Sequence, residues 1–396
     1  MCNNDLWMTV PSKTTRHVAL LIESSGSYGR GLLRGIAQYN REHTPWSIFF
    51  QPRNISAKPP GWLRTWKGDG VLARIKTEEM ATTTMGLSVP VVNLRQTTPP
   101  LPFPLVTVDN SQVAKLAADH LIERGLRHFA CCGRRPGINP NLDERCERFS
   151  DYLGATGRKT HSYPASTLAP GSSWEEEQEH LVQWILSLPR PVGVMAVNDE
   201  IGLHVLDACR RCGASVPDEV AVIGVDNDEP LCDLAIPPMT SVDVNAEGAG
   251  YEAAAILDRL MDGKKISARV VHTAPRGVIV RRSTDVIASE DDDVNRALRY
   301  IRERACTGLQ VSDVLMYLGM SRAALQHRFK QILGHTIHQQ IQRVRLARAT
   351  ELLAMSNLTI KQVARESGFT SVQYMTRVFH AANGETPAKY RARRTM

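Results

Sequence analysis

What this sequence lacks narrows its class before any motif is read. No apolar run approaches the ~20 residues that a membrane-crossing helix needs; the strand-like run at residues 18–22 falls far short of it. The first 15 residues carry polar Asn3, Asn4 and Asp5 and lack the basic start and apolar middle of a secretory leader. The expected location is therefore the cytoplasm, away from any membrane. Cysteine is sparse: eight are scattered through the chain, and Cys131 and Cys132 are adjacent, which fits no disulfide framework. A reducing compartment is expected. Repeats and low-complexity tracts are missing, and 27 Gly and 22 Pro are near average usage. Collagen-like, disordered and solenoid architectures drop out.

Several chemical signatures are incomplete as well. Gly26, Gly29 and Gly31 outline a glycine-rich turn, but the Lys-Ser/Thr of a phosphate loop does not follow, and no acidic partner for a dinucleotide is evident. Such a turn suits close approach of backbone to a ligand. Cys209 and Cys212 have metal or redox spacing without a second pair nearby, and His335 and His338 lack acidic neighbours. No metal or other cofactor is expected. Spacing yields no Ser-His-Asp or paired-carboxylate arrangement, so no catalytic residue is assigned and the chain is read as no enzyme.

What is present is material for two or three cores: 396 residues, 42% hydrophobic and 22% charged. The charge is segregated. Residues 295–396 hold 17 Lys and Arg against 5 Asp and Glu, a net +12, while the rest holds 31 against 36. A basic module on a mildly acidic body implies that the module meets a polyanion, with nucleic acid foremost.

From residue 17 to about 280, β-branched runs at 18–22, 70–73, 89–92, 105–108, 128–131, 193–197 and 220–225 alternate with amphipathic stretches at 31–39, 111–124, 175–187 and 200–211. That alternation predicts parallel, doubly wound sheets in two lobes with a cleft. An acidic run ending at Asp293 marks a linker at 285–293. Beyond it strands vanish. Gly319 and Ser321 read as turn and cap between two short helices, with Leu325 and Phe329 inward and Arg322, Gln326 and Lys330 on another face. The pattern recurs: a capping box at Thr359 and Gln362, Gly368, and a second box at Thr370 and Gln373, with Met375 and Phe379 inward and Gln373, Thr376, Arg377 and His380 outward. The stretch 337–355 between the units predicts a helix of ~30 Å, close to the ~34 Å between successive major-groove faces.

Gly319, Met320, Ser321, Arg322, Leu325 and Phe329, then Ile360, Ala364, Ser367, Gly368, Phe369, Tyr374, Phe379, Gly384, Thr386, Pro387, Tyr390 and Arg391 resemble the double helix-turn-helix domain of AraC/XylS transcription regulators across residues 293–394. The resemblance implies that Arg322, Gln326 and His327 of the first unit, and Val372, Gln373, Thr376 and Arg377 of the second, face DNA. Ala323 departs from the family, which often has a larger contact residue there.

In the body, strand ends at residues 23–28, 93–95, 198–199 and 226–228 carry amides, carboxylates and a guanidinium suited to hydroxyl-rich ligands. Capping or turn formation is the competing reading for each Asp and Asn. Val108, Asp109 and Asn110, Val197, Asn198 and Asp199, residues 223–226 and residues 240–243 resemble the sugar-binding domain of LacI/GalR repressors and periplasmic binding proteins across residues 17–283. By that resemblance the ligand residues are Tyr28, Arg95, Arg145, Trp174, Asn198 and Asp226. Trp174 would stack on a sugar face, with a helix-start staple as its alternative; a lobe-interface contact is the alternative for Tyr28.

The expected fold is thus an α/β two-lobed periplasmic-binding-protein-like sensor (17–284), after an N-terminal extension (1–16), followed by an all-α double helix-turn-helix domain (294–396). The two parts together resemble the regulators of xylose operons. The implied function is a D-xylose-responsive transcription activator that binds double-stranded operator DNA as a homodimer and contacts RNA polymerase. The alternatives are a sugar-metabolising enzyme with a DNA-binding tail, a regulator of the same architecture answering another pentose or hexose, and a repressor.

Overall fold

The apolar run at the start of the body forms β1 (His17–Leu21), whose last four residues are all buried. Burial on both faces of a strand is the mark of a parallel sheet covered by helices, and the first sheet is of that kind. It runs β11 (Val270–Thr273), β5 (Leu105–Val108), β4 (Val91–Asn93), β3 (Gly70–Ala73), β1, β2 (Ser47–Phe50), with every pair parallel. A second six-stranded sheet runs β12 (Gly277–Ile279), β10 (Thr240–Asp243), β9 (Val220–Val225), β8 (Val192–Ala196), β6 (His128–Cys132), β7 (Thr160–Ser162). Only its β10–β12 pair is antiparallel. The chain passes between the sheets three times, after β5, after β10 and between β11 and β12. Two lobes result, as expected. This computed structural model describes residues 15–165, 171–266, 268–285, 291–356 and 358–394. Most of the expected N-terminal extension and residues 286–290 of the expected linker lie outside the described residues.

The helices that aim at the ligand cleft are set by packing. Helix α1 (Ser27–Glu42) crosses α8 (Ala246–Met261) through Leu32, Ile36, Ala249, Ala253 and Leu257. Their backbones meet where a Cβ has no room: one added at Gly35 would lie 1.9 Å from the Glu247 carbonyl oxygen. One at Gly250 would lie 2.1 Å from that of Leu32. Helix α1 starts four residues earlier than the predicted stretch, which places Tyr28 in its first turn and not in a loop. On the second sheet lie α3 (Asn110–Glu123), α4 (Pro140–Ala155), α5 (Trp174–Ser187), α6 (Asp199–Arg211) and the short α7 (Glu229–Leu234).

One cysteine expectation is overturned. Cys131 and Cys146 are disulfide-bonded, with Cα atoms 6.1 Å apart. Neighbours in a strand point to opposite faces: Cys131 faces α4 and Cys146, while Cys132 stays a free buried thiol. Pairing across a strand–helix contact leaves no trace in spacing.

The chain divides into two compact units, Met1–Val286 and Ile287–Met396. The second is all-helical: α9 (Asp292–Arg304), α10 (Val311–Leu318), α11 (Arg322–Leu333), α12 (Ile337–Met355), α13 (Ile360–Glu366), α14 (Val372–Asn383) and α15 (Pro387–Arg394). Its two cores share α12. Ile337 and Ile341 pack with Leu325 and Phe329, whereas Ala349, Leu352 and Leu353 pack with Met375 and Phe379. Buried Arg345 joins α12 to the turn before α10, donating to the carbonyls of Ala305 and Leu309, each at 2.8 Å. Ser321 caps α11 and the Thr359/Gln362 box caps α13, as predicted. The predicted box at Thr370 and Gln373 does not form. Ser371 is the cap, accepting from the Tyr374 amide at 3.2 Å, because the register that buries Met375 and Phe379 starts the helix one residue later. Among the described residues no helix is long and apolar enough to cross a membrane.

Candidate sugar site and nucleic-acid interface

Both sheets of the first unit reverse their strand order beside the first strand of each lobe, and ligands of such sheets bind outside the strand ends at that point. A cavity of about 630 Å³ opens there. From the first lobe come Glu23, Tyr28, Arg30, Arg74 and Arg95; from the second come Asn139, Asn141, Arg145, Asn198, Asp199, Asp226 and Asp228. Five of the six predicted ligand residues thus line one cavity.

Arg145 is the pivot of the second lobe, 1% exposed despite its charge. Its Nε donates to Asn110 Oδ1 at 3.1 Å, its Nη1 donates to the Val197 carbonyl, and Asp226 lies 3.5 Å away. A buried guanidinium is tolerable only with such partners. Asp226 itself occupies a left-handed backbone, φ 106°, and Asn227 follows at φ 50°. Asp and Asn tolerate that region better than other side chains, yet it still costs more than for glycine, and such conformations cluster at ligand sites. Burial raises the Asp226 carboxyl above its ordinary range, opposed by Arg145 and Arg74. Burial likewise keeps the Tyr28 phenol protonated, and the Arg74 guanidinium lies 4.9 Å from the centre of its ring.

Asn198 serves the competing role as well: its Oδ1 caps α6, accepting from the Ile201 amide at 3.0 Å, while the residue lines the cavity. Its neighbour Asp199 is 1% exposed and accepts from Ser241 Oγ and the Asp228 amide, each at 2.6 Å. Burial and then the charge of Asp226 push its carboxyl up to about 8.

Among the described residues, three enclosed polar atoms of cavity-lining residues have no hydrogen-bond partner: Glu23 Oε2, Arg74 Nε and Asn139 Oδ1. Unsatisfied buried groups are costly; the residues that carry them line the cavity, while the atoms themselves are enclosed. Arg74, ion-paired with Glu23, was not singled out from sequence; Glu23 was read only as the start of the strand end at 23–28. The signal existed, since Arg74 is the first residue after β3 and Arg95 the second after β4.

Trp174 does not line this cavity. It is the first residue of α5, 45% exposed. The Ser173/Glu176 capping box fixes that helix start, and the indole lies 5.1 Å from the Arg211 guanidinium. The stacking role predicted for it is corrected accordingly; Tyr28 is the aromatic ring on the cavity wall.

In the second unit, α11 and α14 each follow a short helix and a tight turn and bury one face. Arg322 and His327 on α11, and Gln373 and Arg377 on α14, are exposed. Gln326, Val372 and Thr376 are half-buried beside them. Arg377 rests 5.3 Å from the Tyr374 ring centre. Helix α12 spans 19 residues, or about 28 Å, a fixed spacer between the two helix-turn-helix units.

Residues 118–284 match the periplasmic binding protein-like domain and residues 314–393 a helix-turn-helix domain. The chain is 32% identical over 387 residues to the xylose operon regulatory protein of Escherichia coli (strain K12), covering 96% of this chain and 97% of that protein. The Haemophilus influenzae protein of the same name is 32% identical over 380 residues, covering 94% of this chain and 97% of that protein. A solved structure of the xylose-binding transcription activator xylR superposes with a TM-score of 0.78 at 30% identity, covering 96% of this chain and 98% of that one.

Proposed function

Because this chain belongs to the family of the xylose operon regulatory proteins, we propose that it is a sugar-responsive transcription activator whose effector is a pentose, D-xylose in the first instance. The observation that carries the reading is the joining, in one chain, of a polar cavity between two lobes to a basic double helix-turn-helix unit. Residues 17–284 act as the sensor, residues 285–293 as the linker and residues 294–396 as the DNA-binding part. Tyr28, Arg145, Asn198 and Asp226 hold the sugar, with Glu23, Arg74 and Asn139 lining the same wall. Arg322, Gln326 and His327, with Val372, Gln373, Thr376 and Arg377, meet operator DNA. The active species is a homodimer that contacts RNA polymerase.

Energetically, the sugar must bind the DNA-competent state better than the other; equal affinity would shift nothing. Calorimetric titration of the full chain with D-xylose, L-arabinose, D-ribose and D-glucose tests the sensor, and saturable binding of D-xylose alone is expected. Two variants test the division of labour. Asp226→Asn should weaken sugar binding by about 10- to 100-fold, the ~1.5–3 kcal/mol of a charged hydrogen bond, and leave basal DNA binding intact. Arg377→Ala should do the reverse, and Trp174→Ala should change neither. Parallel loss of both activities in either of the first two variants would overturn the assignment.

A further inference from the structure

The Cys131–Cys146 bond joins β6 to α4. A regulator that meets DNA works in a reducing compartment, where disulfides are rare and those that form are mostly transient or redox-sensing. The lobe does not need a staple. Phe129 on β6 and Phe149 and Leu153 on α4 are fully buried, so apolar packing already fastens helix to strand. The pair with redox spacing in the sequence is unbonded: the Cys212 thiol donates to the Cys209 carbonyl at 3.5 Å. The fold therefore selects one pair for the bond.

The two sulfurs of that pair differ in access. Cys131 has no exposure, whereas Cys146 is half-buried. Space beside the Cys146 sulfur depends on a glycine, since a Cβ at Gly133 would lie 3.1 Å from Cys146 Sγ. An incoming thiol or disulfide meets Cys146 first. Cys132, next along β6, is buried and its thiol is pushed above the ordinary range by that burial, which keeps it protonated and out of exchange.

The bond also lies at the root of the cavity wall. Cys146 directly follows Arg145, and Asn139, Asn141 and Arg145 bring the start of α4 to the cavity. Arg145 Nη1 donates to the Val197 carbonyl, and the Val197 amide donates at 3.0 Å to the carbonyl of Cys132, the neighbour of Cys131. Asn141 Oδ1 accepts from Asn110 at 2.9 Å. The far half of α4 is held by Phe149 and Leu153; its cavity half is held by these polar contacts and by the disulfide.

We propose that Cys131 and Cys146 form a reversible thiol–disulfide switch that sets sugar affinity by fixing or freeing the cavity end of α4. To close it, the Cys146 thiolate attacks one sulfur of a small-molecule disulfide, such as oxidised glutathione, and expels one glutathione thiolate. The Cys131 thiolate then attacks Cys146 Sγ and expels the second. Two protein thiols are oxidised, one glutathione disulfide is reduced, and the two protons go to the two glutathiones. Reduced glutathione reverses both steps. The inference rests on the reading of this cavity as the sugar site.

The test uses the full chain equilibrated with excess oxidised or excess reduced glutathione. Alkylation with peptide mass mapping gives the state of each cysteine, and calorimetric titration with D-xylose, L-arabinose, D-ribose and D-glucose gives affinity and stoichiometry. The bond should be closed in the first sample and open in the second. The closed form should bind the responding sugar about 3- to 30-fold more tightly, the scale on which a group off a site alters coupling to it, with stoichiometry unchanged. Cys146→Ser should bind like the open form under both conditions. Should it not fold, Cys131→Ala replaces it, and the two states of the parent carry the test without either variant. Equal affinity in both states, a loss of stoichiometry in place of affinity, a bond that reduced glutathione does not open, or a Cys209–Cys212 bond in its place would overturn the inference and leave the proposed function standing. Silence to all four sugars in both states would overturn both.

Discussion

Single residues in this cavity show how burial changes chemistry, and Asp199 shows it most directly. Its carboxyl is pushed up to about 8 by burial and by the charge of Asp226, whereas in the unfolded chain it titrates near ~3.9. Between those values the folded state holds a proton that the unfolded state has released. Stability must then fall as pH rises through that window and level off above it. Urea unfolding of the parent and of Asp199→Asn at pH 5, 6, 7 and 8 isolates the effect, because other titrating groups are common to both. The parent should lose stability relative to the variant as pH rises, and parallel profiles would mean that Asp199 ionises normally. Asp199 was visible in sequence only as a polar residue at a strand end. Its protonation follows from burial and from the charge of Asp226, opposed by hydrogen bonds from Ser241 and the Asp228 amide, all brought together by the fold.

Elements were legible where their burial pattern is strong and silent where it is not. The runs at 70–73, 105–108 and 220–225 match β3, β5 and β9, all buried inside their sheets. The strands that escaped notice include β2, β7, β11 and β12, the four sheet edges. An edge strand has one neighbour and an exposed side, so its burial pattern is weak: β7 is Thr160, His161 and Ser162, and β2 leaves Ser47, Ile48 and Phe49 exposed despite its apolar run. In the helical unit the glycine turns were legible, but their costs were not. Gly319 and Gly368 both adopt left-handed backbone, φ 66° and φ 76°, yet their surroundings differ. A Cβ at Gly319 meets nothing, whereas one at Gly368 falls 2.7 Å from both the Ala305 carbonyl oxygen and Cys306 Cα. Gly319→Ala should cost only the left-handed penalty of ~1–2 kcal/mol, while Gly368→Ala must also push two backbone segments apart. Thermal unfolding monitored through the DNA-binding unit should show the larger drop in midpoint for Gly368→Ala. Equal drops would mean that the second helix-turn-helix does not pack against the turn before α10.

At the scale of the whole molecule, the order of parts was readable because each carries its own periodicity and charge: a near-neutral β/α alternation, then a basic run of capped helices. The convergence of Arg74, Asn139 and Glu23 on one cavity was not, because these residues follow three separate strands, β3, β6 and β1, of two different sheets. The same separation makes the proposed regulation testable by thermodynamics alone. If sugar favours the DNA-competent state, operator DNA must favour the sugar-competent state by the same factor, since the coupling free energy belongs to the cycle and not to either ligand. Effector affinity measured with and without saturating operator, and operator affinity measured with and without saturating effector, should shift by equal factors. The expected range is about 5- to 150-fold, typical of coupled sites. Asp226→Asn, assayed at effector concentrations that still saturate it, tests whether contact to that carboxylate drives the change. A normal shift would make Asp226 a binding group only, whereas a reduced one would place part of the coupling in the contact between sugar and Asp226, at the left-handed turn that ends β9.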